Sequence, residues 1–112
     1  MKIAIIGSRG ITDIDLAEYI PDRCTEIVSG GAKGVDSIAA EYARFHGIKL
    51  VEFLPEYEKY KKGAPLRHNI AIAEYADKVI AFWDGKSRGT KFVIEYCRSK
   101  GIDIDVVTLP SI

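Results

Sequence analysis

The stretch IVSGGAKGVDSIAAEYA, residues 27–43, joins a short apolar run to a helical pattern through a glycine-rich turn. The run Glu26–Ser29 predicts a buried strand, and the spacing of apolar residues over Val35–Phe45 predicts a helix. Gly47 follows at the position where glycine commonly ends a helix. A strand that leads through glycines directly into a helix is the repeating unit of open α/β sheets.

The same alternation of apolar runs and helical patterns continues along the rest of the chain. Continuous apolar runs such as IAII (3–6) and VIAF (79–82) are typical of strands buried on both faces. Strands separated by helices imply parallel pairing through right-handed crossovers. The predicted fold class is therefore α/β, a three-layer Rossmann-like sandwich with a central, mostly parallel sheet of about five strands. The other expected elements are strands Lys2–Ile6, Ile48–Leu54, Lys78–Trp83 and Asp105–Leu109, and helices Asp13–Ile20, Leu66–Tyr75 and Thr90–Lys100.

The size and charge balance of the chain limit the kinds of function that it can have. It has 112 residues, 47% of them hydrophobic and 29% charged, which predicts one globular domain over residues 1–112. The charges of its 16 basic and 16 acidic residues cancel, so the chain has no net electrostatic field that would attract nucleic acid. Any anion site must therefore be local.

Cysteine usage and hydropathy indicate the compartment. Cys24 and Cys97 are too few for a disulfide scaffold and lack the spacing of a zinc site, so we expect reduced thiols and no metal. The N-terminal run in MKIAIIGSRG is too short for a signal sequence and is better interpreted as a strand. No apolar stretch is long enough to span a bilayer. We expect a cytoplasmic protein without membrane contact.

Three glycine-rich turns each follow an expected strand and precede an expected helix: GSRG (7–10), SGGAKG (29–34) and DGKSRGT (84–90). Because the carboxyl ends of parallel strands meet at one edge of a sheet, these turns should lie together. Glycines let the backbone approach a ligand closely, and helix N-termini present N–H groups to anions. This edge is therefore predicted to bind an anionic ligand. The residues predicted to contact it are Gly7, Ser8, Arg9, Ser29, Gly30, Gly31, Lys33, Gly34, Asp36, Ser87, Gly89 and Thr90.

Two common nucleotide motifs do not fit these turns. GKS at 85–87 resembles the end of a Walker A loop, but Ile80 stands where the first glycine belongs. The turn at 7–10 lacks the GxGxxG spacing, so ordinary NAD or FAD binding is not supported. No cofactor is expected.

Longer motifs resemble a known family. IAIIGSRGIT, IVSGGAKGVDSIAAEYA and PLRHNIAIAEYAD together resemble the Rossmann-like core of the DNA-processing protein DprA (Smf), and Gly89–Thr90 is similar to the phosphate loop of LOG-type phosphoribohydrolases. Both belong to the SLOG superfamily, which is proposed to bind nucleotides and nucleotide-derived ligands. The chain is most similar to the small single-domain branch of that superfamily. The resemblance implies a nucleotide-type ligand and places Arg67 and Asn69 near it.

The catalytic residue of LOG enzymes has no counterpart here. Their Pro-Gly-Gly-x-Gly-Thr-x-x-Glu motif carries a glutamate important for cleaving the N-glycosidic bond, whereas Val93 stands three residues after Thr90. Glu95 comes five after Thr90, about 200° round the helix instead of about 300°. Asp36 is the other weak candidate, although an acid in the first turn of a helix can instead stabilise the helix dipole, bind a ribose hydroxyl or brace the loop. Asp84 could also substitute, because it lies beside a glycine-rich turn as Asp36 does, but neither has an evident partner to tune its pKa.

These observations favour binding, for example as a sensor, over turnover. Two alternatives stay open. The first is a phosphoribohydrolase of LOG type that acts on nucleoside monophosphates. The second is single-stranded DNA binding of DprA type, which the resemblance favours and the zero net charge disfavours.

Other side chains near this edge allow two interpretations each. Arg67 opens a helix, where a cation is unfavourable unless a ligand phosphate lies nearby. For His68, a solvent-facing position is favoured over acid–base chemistry. Trp83 suits packing and base stacking equally. Tyr57 and Tyr60 lie in a polar stretch expected to become ordered on binding, where they can stack on a base.

Apolar residues on two helices exceed what a small sheet can cover. The residues concerned are Phe92, Val93 and Tyr96 beside Ile70 and Ile72. Because related SLOG proteins are often dimers, the resemblance supports the same prediction, a homodimer.

Overall fold

The computed structural model describes residues 1–8, 10–11, 13–30, 34–53 and 64–109. The strands are β1 (Lys2–Gly7), β2 (Glu26–Ser29), β3 (Lys49–Glu52), β4 (Lys78–Trp83) and β5 (Ile104–Thr108). The helices are α1 (Val35–His46), α2 (Ala64–Tyr75) and α3 (Arg88–Lys100), and a single 3₁₀ turn covers Leu16–Glu18.

The strands form one parallel sheet in the order β3-β2-β1-β4-β5. β1 lies at its centre, with Ile3 beside Ile27 of β2 and Ile5 beside Ile80 of β4. The chain runs outward from β1 to β3 on one side and then returns to build β4 and β5 on the other. The strand order therefore reverses between β1 and β4, where open α/β sheets bind ligands. The predicted α/β fold class is confirmed.

The two faces of the sheet each carry a core of buried side chains. Ile3 and Ile5 of β1 point into the core beneath α1, while Ala4 and Ile6 point into the core beneath α2 and α3. Each isoleucine side chain that is fully buried contributes about 1.5–3 kcal/mol of transfer free energy. Burial on both faces explains the continuous apolar run of β1 and gives the fold its three layers.

Local signals fix the ends of the helices. Gly47 ends α1 in the left-handed conformation, and its N–H reaches the carbonyl oxygens of Ala43 and Arg44. Ser87 caps the N-terminus of α3 with its side chain, and Gly101 ends that helix. The Gly47 stop was predicted from sequence and is confirmed.

The predicted helix Asp13–Ile20 is wrong, because the structure has only the 3₁₀ turn Leu16–Glu18 there. The Asp15 carboxylate accepts a hydrogen bond from the Ala17 N–H at 3.1 Å, and Pro21 follows closely, so a longer helix does not develop. Leu16 and Ile20 are nevertheless buried against α1. The segment is thus part of the connection between β1 and β2, with a single 3₁₀ turn and two buried side chains.

The other elements differ from prediction only at their ends. β2 and β4 have the predicted bounds. β3 is shorter than Ile48–Leu54, and residue 54 lies outside the described part of the chain. α2 and α3 begin two residues earlier than predicted. Among the described residues, no helix is long and apolar enough to cross a membrane.

A polar network closes the amino edge of the sheet. Glu26 at the start of β2 is buried and accepts a hydrogen bond from the Tyr75 hydroxyl, and the Lys49 ammonium lies 3.5 Å from the same carboxylate. The Lys2 ammonium stands 4.3 Å from the centre of the Tyr75 ring. The hydrogen bond from Tyr75, more than the charge of Lys49, lowers the pKa of Glu26 and, in turn, raises the pKa of Tyr75. This network ties α2 to the end of the sheet opposite the glycine-rich turns.

Candidate ligand-binding site

The turn after β1 is tied to the turn after β4. The backbone N–H of Ser8 donates to the Phe82 carbonyl at 3.0 Å, and the Ser8 hydroxyl accepts from the Asp84 N–H at 3.2 Å. Ser8 is only 1% exposed. The point where the strand order reverses is therefore a hydrogen-bonded seam with a buried hydroxyl at its base.

Gly7 has a packing role at this seam. A β-carbon there would lie 2.8 Å from Cβ of Val35 and 2.9 Å from the Phe82 carbonyl oxygen. Val35 is the first residue of α1, so Gly7 allows the helix to begin directly against the sheet. Close packing therefore requires glycine at position 7, whether or not Gly7 also lies near a ligand.

Asp84 organises the turn between β4 and α3. Its Oδ1 accepts hydrogen bonds from the N–H groups of Lys86 and Ser87, both at 2.8 Å. The bonds from Ser87 and then Lys86 lower the pKa of the Asp84 carboxyl, so it is ionised at neutral pH. The Trp83 indole N–H donates to the Ser87 carbonyl at 3.0 Å and braces the same turn. Aspartate before glycine is a common signal for such a turn.

The first turn of α3 is open and carries no acidic residue. A β-carbon at Gly89 would meet no atom of the described residues within 4 Å, whereas the Thr90 side chain is buried. The Ser87 hydroxyl lies 3.3 Å from the Thr90 hydroxyl. Exposed Lys86 and Arg88 add positive charge to the positive end of the helix dipole. Such a helix start can accept an anion on its backbone N–H groups.

The turn after β2 brings together side chains from both outer layers. Gly30 is buried at the end of β2, and a β-carbon there would overlap the ring atoms Cε1 and Nε2 of His68. The same β-carbon would lie 3.1 Å from Oδ2 of Asp36. His68 comes from α2 and Asp36 from α1, which cover opposite faces of the sheet. Only glycine leaves room for this meeting.

His68 is held by the end of β3. Its Nε2 bonds the carbonyl oxygen of Phe53, which fixes the proton on Nε2 because a carbonyl only accepts. The side chain is half-buried, so His68 faces solvent only in part. The contact joins residues that are 15 apart in the sequence, so no local sequence pattern predicts it.

The remaining predicted residues fall into two groups. Ser29 is fully buried, Gly34 caps α1 with φ 78°, and Asn69 is half-buried on α2 beside His68. Their contact with a ligand stays a prediction. Outside the described residues lie Arg9, Gly31, Lys33, Tyr57 and Tyr60, and also the side chain of Arg67.

Glu95 stands apart from the turns. It is exposed on α3, seven residues after the helix start, and its carboxylate lies 3.9 Å from the ammonium of Lys91. Asp36 and Asp84 are therefore the candidate carboxylates that the described part of the chain brings to the glycine-rich edge. Among the described residues, no group of three or more His, Cys, Asp or Glu side chains is placed to hold a metal ion.

Comparison with known proteins identifies the family. The YAcAr family model, described as the YspA, cpYpsA-related SLOG family, matches residues 1–60, more than half of the chain. The protein is thus a SLOG-superfamily domain, and within that superfamily it belongs to the YspA, cpYpsA-related family. The matched part holds β1, β2, α1 and β3, and with them the turns after the first two strands. No curated protein and no solved structure matched the chain.

Proposed function

We propose that the protein binds a nucleotide or nucleotide-derived ligand at the carboxyl edge of its sheet and acts as a sensor of that ligand. The observation that carries the proposal is the start of α3, which is open at Gly89 and lacks acidic residues. It lies beside the seam between β1 and β4, the point of strand reversal. Membership of the SLOG family supports a nucleotide as the ligand class.

The phosphate of the ligand is the part that this helix start suits. Backbone N–H groups in the first turn of a helix bind anions without a dedicated cationic side chain. The Thr90 hydroxyl has a proton to donate, and Lys86 and Arg88 supply charge from the exposed side. A local site of this kind agrees with a chain whose net charge is zero.

We also propose that the protein acts in the cytoplasm. Cys24 and Cys97 are both free and buried. Burial raises the pKa of both thiols, which keeps them protonated and unreactive. Free thiols are common in a reducing compartment.

Native mass spectrometry of the purified protein tests the proposal first, because a copurified ligand would reveal its own identity. Isothermal titration with nucleoside monophosphates follows, on the wild type and on Thr90→Val, which removes one hydroxyl. Ser99→Ala is the matched control, since that hydroxyl lies at the far end of α3 and bonds the Tyr96 carbonyl. We expect weaker binding for Thr90→Val and unchanged binding for Ser99→Ala. Binding of single-stranded DNA without any binding of nucleotides would favour the DprA-type alternative.

A further inference from the structure

We infer that Asp36 and His68 form a second recognition point of the site, which binds the sugar or base of the ligand whose phosphate lies at α3. The inference rests on the proposed function. It assigns to His68 a role in ligand recognition and restricts the ligand to molecules that carry hydrogen-bond donors at a distance from their phosphate.

Gly30 is where the two side chains converge. The ring of His68 and the carboxylate of Asp36 occupy the space that any side chain at residue 30 would need. One arrives from the layer of α1 and the other from the layer of α2, so they meet over the end of β2. Both are half-buried, which leaves part of each side chain accessible to a ligand.

The spacing of the strands sets the distance between the two recognition points. The order β2-β1-β4 places one strand between the end of β2 and the end of β4. Two strand spacings amount to about 10 Å. Inorganic phosphate cannot bridge this span, whereas a nucleotide extends from its phosphate through the sugar to the base.

The chemistry of the pair determines what it can recognise. Because the Nε2 proton of His68 goes to the Phe53 carbonyl, the neutral ring offers Nδ1 as an acceptor. The Asp36 carboxylate already has an interaction within the chain, and a carboxylate can accept several hydrogen bonds at once. A pair of acceptors suits donors, namely the hydroxyls of a ribose or an amino group of a base. The pair favours a ribonucleotide over free phosphate.

A purely structural role for His68 makes a different prediction. The bond to Phe53 holds the end of β3 against α2, and its loss would disturb the whole edge. A structural role therefore predicts equal losses for every anion. A recognition role predicts losses only for ligands that reach Gly30.

The experiment compares inorganic phosphate with adenosine 5′-monophosphate by isothermal titration. The variants are Asp36→Asn and His68→Gln, whose amide can still donate to the Phe53 carbonyl. His46→Gln is the control, because His46 is the other histidine of the chain and is exposed on α1, stacked near Tyr42. We expect about a five- to tenfold loss of affinity for the nucleotide in each test variant, as for one lost hydrogen bond, and no loss for phosphate.

Nuclear magnetic resonance of the two imidazole rings gives a second readout on the unmodified protein. We expect the His68 ring in the Nε2–H tautomer, and its signals should shift with the nucleotide but not with phosphate, while those of His46 stay constant. Equal losses for both ligands, or unchanged nucleotide binding in both variants, overturn the inference and leave the phosphate site intact. Absence of binding of either ligand to the wild type overturns the proposed function and the inference together.

Discussion

The Ser8 hydroxyl accepts a hydrogen bond from the backbone N–H of Asp84 at 3.2 Å, across 76 residues of sequence. The bond joins the turns of β1 and β4 at the point where the strand order reverses. The Ser8 hydroxyl also donates to the Asp84 carboxylate and helps to lower its pKa, so its proton already has a partner. The seam thus holds the two turns together at the base of the candidate site.

Gly7 and Gly89 should respond in opposite ways to alanine. Gly7→Ala places a methyl group against Val35 and the Phe82 carbonyl, so we expect a loss of about 1–3 kcal/mol in the free energy of unfolding. Gly89→Ala meets open space in a helix and should keep or raise stability, by up to about 1 kcal/mol. Urea denaturation measures both.

The same pair separates folding from binding. A methyl group at Gly89 covers the backbone that we propose as the phosphate site, so Gly89→Ala should be stable yet bind nucleotide more weakly. Undiminished binding by this variant would place the phosphate elsewhere.

The Asp84 carboxylate should make the turn before α3 sensitive to acid. Its pKa is lowered by hydrogen bonds from Ser87 and Lys86, so its stabilising effect is present above the unfolded pKa, which is about 3.9. That effect is lost as the pH falls through the lower folded value. We expect Asp84→Asn to weaken the pH dependence of the melting temperature in this acid range, and Asp84→Ala to lower ligand affinity as well. A wild-type acid profile in Asp84→Asn would be inconsistent with this role.

The hydroxyl of Tyr75 should matter more to stability than that of Tyr96. Tyr75 donates to Glu26, which is buried, whereas Tyr96 donates to exposed Glu74 at 3.0 Å. Removing the Tyr75 hydroxyl takes a hydrogen-bond donor away from a buried carboxylate. This lowers the free energy of unfolding more than the loss of an exposed hydrogen bond does. Tyr75→Phe should therefore lower the urea midpoint clearly more than Tyr96→Phe, and equal midpoints would contradict the argument.

The same network adds a pH signature. Since the pKa of Glu26 is lowered in the folded state, its contribution is present above the unfolded pKa and declines as the pH falls through the folded value. Tyr75→Phe removes the main cause of that shift. The variant should therefore lose less stability than the wild type on acidification, which denaturation at a series of pH values can measure.

The sequence predicts the sheet well, because the strands depend on local signals. The apolar runs of β2 and β4 end at turn residues, so their bounds could be predicted without tertiary information. The parallel order then brings the three glycine-rich turns to one edge. The helix predicted over Asp13–Ile20 does not form, because the Asp15 side chain caps a 3₁₀ turn within that segment.

The part of the site around Gly30 could not be predicted, for a physical reason. The position of His68 depends on the Phe53 carbonyl and on the absence of a side chain at Gly30. Both are tertiary contacts between separate layers, and neither leaves a pattern in the sequence near His68. The packing role of Gly7 against Val35 is hidden in the same way.

Self-association stays a prediction. The apolar surface that could support it is smaller than the sequence indicated. Val93 and Ile72 are buried in the core of the single chain, at 2% and 1% exposure. Phe92, Tyr96 and Ile70 stay half-buried on the outer side of α2 and α3. We propose that these three residues form a dimer contact, so light scattering should give twice 12.4 kDa, and Phe92→Ser should reduce that mass. A concentration-independent mass near 12.4 kDa for the wild type would rule it out.

We expect the protein to bind nucleotides without cleaving them. Cleavage of an N-glycosidic bond needs a carboxylate within hydrogen-bond reach of the reacting sugar. Glu95 faces solvent beside Lys91, and rotating α3 to turn it inward would expose Val93 and Cys97, which are buried beneath the helix. Incubation with a panel of nucleoside monophosphates, followed by chromatography, should therefore show no free base above a buffer control, and Glu95→Gln should bind like the wild type. Asp36 meets His68 at this edge, so base release that disappears in Asp36→Asn would instead establish a hydrolase with a site different from that of LOG enzymes.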